Sequence, residues 1–240
     1  MKRILAGLSD IIFPPRCLTC DTICDHQTNT LFCPPCYSKI HFIRSPLCPC
    51  CGIPFTGSDG GNHICGDCIV SKSAFSVARA VGRYETTLLE AIHRFKYNRK
   101  ISVGEILGKL MAEFEYPAFN ISDYSLIIPV PLHPKKLRER GFNQSVILAG
   151  EISMRFSLLL DFETLRRHIY TEPQISLGKK ERERNVHGVF SVTDPGKIKG
   201  KTIILVDDVY TSGNTVKECA RVLMKNKAAA VAVLTLARAV

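Results

Sequence analysis

No stretch of this 240-residue chain approaches the roughly 20 consecutive apolar residues that cross a bilayer, so no membrane span is expected. No export leader is expected either. The opening MKRILAGLSDIIFPP starts basic, but Asp10 interrupts its apolar run and no small-x-small cleavage pattern follows. Ile4, Leu5, Leu8, Ile11 and Ile12 instead share one helical face, which predicts a short amphipathic helix. The common nucleotide cradles do not occur: there is no G-x-x-x-x-G-K-S/T, and no G-x-G-x-x-G opens a helix. Low-complexity tracts are missing, and nothing repeats except one pattern of cysteines. A disordered chain and a P-loop or dinucleotide-binding enzyme are thereby excluded.

What is present divides the chain in two. Residues 1–76 hold 6 Lys and Arg against 5 Asp and Glu, while residues 77–240 hold 26 against 17, so nearly all of the net charge of +10 lies in the second part. A basic surface of that kind favours anionic partners such as phosphates, pyrophosphates or nucleic acid. The first part holds ten of the 11 cysteines, eight of them in four Cys-x2-Cys pairs: Cys17 with Cys20, Cys33 with Cys36, Cys48 with Cys51, and Cys65 with Cys68. One such turn brings two thiolates to a tetrahedral ion and two turns close a four-cysteine shell, so the pattern predicts two structural zinc sites. Pairing in chain order makes two tandem zinc ribbons; interleaved pairing makes a cross-braced module. Disulfides suit exported chains and are not expected here. Each zinc–thiolate site carries a net −2, which moves this part from +1 to about −3. That is the wrong sign for a DNA-reading zinc finger.

Beyond residue 76, strand and helix patterns alternate. VARAVGRY (77–84), SLIIPVPL (125–132), TIILVD (202–207) and AAVAVLTLA (229–237) read as strands; residues 87–98, 103–115, 143–156 and 214–226 have helical spacing. The expectation is an α/β fold, a parallel sheet covered by helices on both faces, spanning 77–240 behind a small cysteine-rich module spanning 1–76.

IILVDDVYTSGNT, residues 203–215, carries the chemistry. In such a sheet, ligands bind beyond the C-terminal ends of the strands. There, Asp207 and Asp208 are followed by Val209, Tyr210, Thr211, Ser212, Gly213, Asn214 and Thr215, a stretch rich in small hydroxyl residues around one glycine, and then by a helix. Helix N-termini and hydroxyls cradle phosphate. The carboxylates repel phosphate but suit vicinal sugar hydroxyls. The ligand inferred is a 5-phosphorylated ribose.

This stretch resembles the phosphoribosyl diphosphate (PRPP) motif of type I phosphoribosyltransferases. The resemblance gives Asp207 and Asp208 the ribose hydroxyls and residues 209–215 the 5-phosphate. With PVPLHPKKLRERGFNQS (129–145), TEPQISLGKKERERN (171–185), Phe190 and FPPRCLTC near the N-terminus, the chain is similar over nearly its whole length to the ComF family. That resemblance implies a zinc region ahead of a phosphoribosyltransferase-like domain and a cytoplasmic location. It also implies a part in handling incoming single-stranded DNA during natural transformation, with competence proteins such as a DNA helicase or translocase as partners. The extra Cys50 inside CPCC leaves open whether Cys50 or Cys51 is the ligand.

PRPP also carries a pyrophosphate, which needs a second, cationic loop. HPKKLRERGFNQ supplies Arg138 and Arg140, placed by alternation on one side with Glu139 turned away; Lys96 is a further candidate, and Arg182 and Asn185 weaker ones. Magnesium is expected with PRPP, bridging pyrophosphate and ribose oxygens. The expected reaction is displacement of pyrophosphate from the anomeric carbon, with the acceptor unidentified. The alternative is a non-catalytic protein that binds single-stranded DNA or a partner and uses PRPP as a regulatory ligand. Tyr84, Phe95, Tyr97 and Phe142 lie close to basic residues and are candidates for base stacking, though Phe95 has the spacing of a core residue. His133, flanked by prolines, reads as a structural residue.

Overall fold

The computed structural model describes residues 16–24, 32–57, 60–97, 101–171 and 186–240. The amphipathic helix expected at the N-terminus, and Arg182 and Asn185, lie outside the described residues. Five parallel strands form the main sheet in the order β1-β7-β6-β2-β3: β1 (Val77–Arg83), β7 (Ala230–Arg238), β6 (Thr202–Tyr210), β2 (Leu126–Pro129) and β3 (Leu159–Leu160). A separate antiparallel pair joins β4 (Leu165–Arg167) to β5 (Phe190–Val192).

The central strands are apolar on both faces because both faces are covered. Ile204 and Val206 of β6, with Leu234 and Leu236 of β7, pack under three helices: α3 (Thr86–Tyr97), α4 (Ile101–Glu113) and α6 (Gln144–Phe156). Ile203 and Leu205, with Val231 and Val233, point the other way, onto α7 (Asn214–Lys225) and the β4–β5 pair. Phe95 is fully buried and stacks on Phe142 with ring centroids 5.5 Å apart, so its helical spacing did mark a core residue. The short helices α1 (Pro34–Tyr37) and α2 (Gly66–Val70) each begin just after a cysteine, Cys33 and Cys65.

Two expectations are corrected. The strand expected to end at Asp207 runs on to Tyr210, because the ladder to β7 continues through Asp207↔Thr235, Val209↔Ala237 and Tyr210↔Arg238. Val209 and Tyr210 are therefore strand residues, and the loop proper is Thr211–Gly213. HPKKLRERG is not extended. It contains α5 (Pro134–Arg140), with Pro134 in its first turn, the His133 imidazole accepting the Lys135 N–H, and Gly141 closing it in the left-handed region. Residues two apart on a helix lie about 200° around the axis. Arg138 and Arg140 therefore do not share a side as strand alternation would have placed them.

Candidate functional site

The two carboxylates stand at the C-terminal end of β6 and have different partners. Asp208 is buried and forms an ion pair with Lys96 of α3, Nζ to Oδ2 2.7 Å. Burial alone would lower the Lys96 ammonium, but the adjacent Asp208 and Asp207 charges outweigh it and its pKa is raised. Asp207 accepts the Ser145 hydroxyl at 3.0 Å and the Asp208 backbone N–H at 2.9 Å. Burial, then the neighbouring Asp208 charge, push its carboxyl well above the ordinary range.

Ser145 reaches Asp207 because α6 starts beside β6. Asn143 caps that helix by accepting the Ser145 N–H, and its amide donates to the Val130 carbonyl at the end of β2. Arg140 donates to buried Gln144 at 3.0 Å, so it sits at the same helix start, while Arg138 is exposed on α5. The structure thus brings Lys96, Ser145 and Arg140 to the edge that holds the acids. Sequence reasoning missed Ser145, whose one signal was its place at a capped helix start. It also missed Arg167 of β4, a half-buried cation close enough to interact with Asp207; its Nη2 donates to the Thr171 hydroxyl at 2.6 Å and its Nε has no partner among the described residues.

After Tyr210 the chain turns through Thr211 and Ser212 to Gly213, which precedes α7 at φ +75°. A Cβ at Gly213 would collide with the Tyr210 ring, so both the backbone angle and the space require glycine. Gly213 offers no side chain to cap α7, which leaves the N–H groups of the first turn largely for a ligand. Tyr210 itself is buried, its ring beneath Gly213. On the far side of α7 a cleft of about 220 Å³ is lined by Lys72, Lys217, Arg221, Ser73 and Asn214, among others. Ser73 Oγ and Asn214 Nδ2 are buried there without hydrogen-bond partners among the described residues.

The cysteines form two groups in chain order, Cys17/Cys20/Cys33/Cys36 and Cys48/Cys51/Cys65/Cys68, with the sulfurs of each group within 4.8 Å of one another. Cys51, not Cys50, belongs to the second. All are free thiols. Four thiolates at about 2.3 Å from one zinc stand ~3.8 Å apart. Cys20 and Cys33 sulfurs are 3.5 Å apart and Cys51 and Cys65 sulfurs 3.6 Å, so both groups fit the ion. Each group also has a thiol that ionises readily. Thr22, through its hydroxyl and N–H, lowers Cys20 to about 6. Burial opposes ionisation of Cys48, but the N–H groups of Cys65, Cys51 and Cys50 bring it to about 6 as well.

Residues 8–69 match the double zinc ribbon domain and residues 143–239 the phosphoribosyl transferase domain. The fold is thus that of a phosphoribosyltransferase-like protein carrying a double zinc ribbon. Among relatives, DNA utilization protein YhgH of Escherichia coli K12 is 34% identical, the match covering 80% of this chain and 84% of that one. Competence protein ComFC of Bacillus subtilis is 30% identical over 86% and 83% of the two chains. Competence protein F of Haemophilus influenzae is 27% identical over 86% and 96%. The chain belongs to the ComF family. A solved glutamine PRPP amidotransferase from B. subtilis has a TM-score of 0.39 at 21% identity, covering 56% of this chain and 26% of that chain. Among the described residues no helix is long and apolar enough to cross a membrane.

Proposed function

We propose that this chain binds PRPP at the C-terminal edge of β6 and transfers its phosphoribosyl group to an acceptor, within the DNA handling for which its relatives are named. The observation that carries this reading is the sequence of parts along one stretch of chain: an acid pair, a three-residue turn and a helix start with no side-chain cap. The ribose hydroxyls donate to Asp207 and Asp208. The 5-phosphate lies on the N–H groups that follow Gly213, helped by the hydroxyls of Thr211, Ser212 and Thr215.

The Lys96 ammonium is paired with Asp208. Ribose hydroxyls take over that carboxylate and release Lys96 toward the pyrophosphate, beside Arg140, with Arg138 on the outer side. Magnesium, whose preference is for oxygen donors, suits the acid pair and the phosphate oxygens and supplies charge neutralisation at the leaving group. The chain's own contribution is to hold the ribose still while positive charge develops at the anomeric carbon, and to stabilise the departing pyrophosphate. The zinc ribbons are structural, and we place the boundary between the two domains at residues 76 and 77. A cytoplasmic location and competence-protein partners belong to the same reading.

The lysine-bearing cleft beside α7 favours a second reading, in which the protein binds single-stranded DNA and PRPP regulates it. Lys72, Lys217 and two unpartnered donors suit a phosphodiester. Exposed Tyr97, next to Lys96, is available for stacking. Calorimetric titration with PRPP, with and without magnesium, tests the first reading. Magnesium-dependent heat that disappears in Asp207→Asn/Asp208→Asn is expected. No heat from folded, zinc-loaded protein overturns it and leaves salt-dependent DNA binding as the function to measure.

A further inference from the structure

The second four-cysteine group lies against the strand ends that shape the phosphate loop, and one side chain joins them. Arg238, the last residue of β7, is 7% exposed. Its Nη1 donates to the Cys51 carbonyl at 2.6 Å and its Nη2 lies 3.6 Å from the Cys51 sulfur. The same guanidinium stacks over the Tyr210 ring, 4.2 Å from its centroid. That ring is what leaves no room for a Cβ at Gly213. Backbone bonds fix the contact: Ala239 N–H donates to the Tyr210 carbonyl at 2.9 Å, and Tyr84 N–H to the Arg238 carbonyl at 2.7 Å.

Charge explains why a guanidinium is buried there. A four-thiolate zinc centre carries −2, and a buried charge has to be paired. Two buried guanidiniums flank this centre: Arg238, and Arg79 of β1, which is 3% exposed and donates to the Pro49 carbonyl at 3.1 Å. If the turn at Cys51 shifts when the centre loses its ion, Arg238 loses the carbonyl that holds it in place over Tyr210.

We propose that Arg238 is a positioning residue through which the second four-cysteine centre sets the shape of the Thr211–Gly213 loop, so that metal at that centre and anion at the loop are coupled. The identity of the anion rests on the PRPP reading above; the coupling itself does not. Coupling between two sites is reciprocal, so it is measurable from either end.

The test uses the full chain with two metal ions bound, as wild type, Arg238→Met, Arg238→Lys and Thr87→Val, the last a matched change beside the first centre. Hydrogen exchange at residues 211–215 is read by mass spectrometry. In Arg238→Met with two ions bound, exchange is expected to be about tenfold faster. Arg238→Lys restores a cation over the ring and is expected to fall between the two, and Thr87→Val to match wild type. In cadmium-loaded wild type, PRPP is expected to move the resonance of the second centre and not the first, and Arg238→Met to abolish that movement.

Wild-type exchange rates in metal-loaded Arg238→Met would overturn the proposal. So would unmoved cadmium resonances at PRPP concentrations where calorimetry shows binding. If Arg238→Met loses its second ion, Tyr210→Leu replaces it: Arg238 stays on Cys51 while the ring between it and Gly213 is gone, and the loop must again exchange faster. If calorimetry shows no PRPP binding, faster exchange in Arg238→Met still supports the coupling while the PRPP reading falls.

Discussion

The two four-cysteine centres have the same ligands at nearly the same spacing, yet their surroundings differ. The first lies against α3. Its links include the buried Thr87 hydroxyl donating to the Cys36 carbonyl at 2.8 Å, the Thr86 hydroxyl donating to the Lys39 carbonyl at 2.8 Å and an exposed ion pair between Arg94 and Asp21. Cys20 faces solvent. The second lies against the sheet itself. Ala78 N–H of β1 donates to the Cys50 carbonyl at 2.7 Å, and Gly52 approaches the Ala78 carbonyl so closely that any Cβ would collide with it. Two buried arginines converge on the same turn. A motif repeated in sequence thus packs into the helical side of the core in one case and onto the edge strand of the main sheet in the other. Neighbours decide what a metal centre supports.

The comparison is broken most forcefully by removing one ligand from each centre. Cys51→Ser is expected to destabilise the chain by more than about 3 kcal/mol, because it removes a buried thiolate and leaves Arg238 and Arg79 uncompensated. Cys20→Ser, at an exposed position, is expected to cost clearly less. Thermal denaturation with zinc counted per chain measures both, and equal losses would make the two centres equivalent.

Asp207→Asn with Asp208→Asn sharpens the contrast from the other side. It is expected to weaken PRPP binding by about a hundredfold, roughly 2.7 kcal/mol, while both centres keep their zinc. Loss of zinc in that variant would make the acids structural. Gly213→Ala is expected to cost about 1–2 kcal/mol and to slow recovery of PRPP binding, since it forces a left-handed angle and displaces Tyr210. A circular-dichroism melt reads the stability, and an unchanged melting temperature would refute the steric account.

Thr87→Val should cost about 1 kcal/mol by removing one buried hydrogen bond at the first centre, with no effect on PRPP affinity. The last effect has the opposite sign. The Asp207 pKa is raised from an ordinary 3.8 to about 7. The folded state therefore holds the proton over that window while the unfolded state releases it, and stability falls as pH rises through it. Asp207→Asn is expected to stabilise at pH 8 and to be nearly neutral near pH 4. Equal effects at both pH values would contradict the shift.

Much of the fold was legible because strands buried on both faces are apolar runs: TIIL and AVAVLTLA have no other stable home. The error at α5 has a definite source. Arg138, Glu139 and Arg140 alternate in charge, which fits a strand as well as it fits the exposed surface of a short helix. The end of β6 was misjudged because Asp207 and Asp208 interrupt the apolar pattern while the backbone ladder to β7 continues unaffected.

The sequence by itself determined the four cysteine turns, the sheet strands, and the order of acids, turn and helix, since each depends on residues within a few positions of one another. Tertiary structure alone decided which side chains meet. Ser145 reaches Asp207 across 62 positions, and Arg238 reaches Cys51 across 187. A charged or hydroxyl side chain carries no mark of its partner in its neighbours along the chain. Its partner is chosen where the folded backbone buries both groups together and leaves neither of them water.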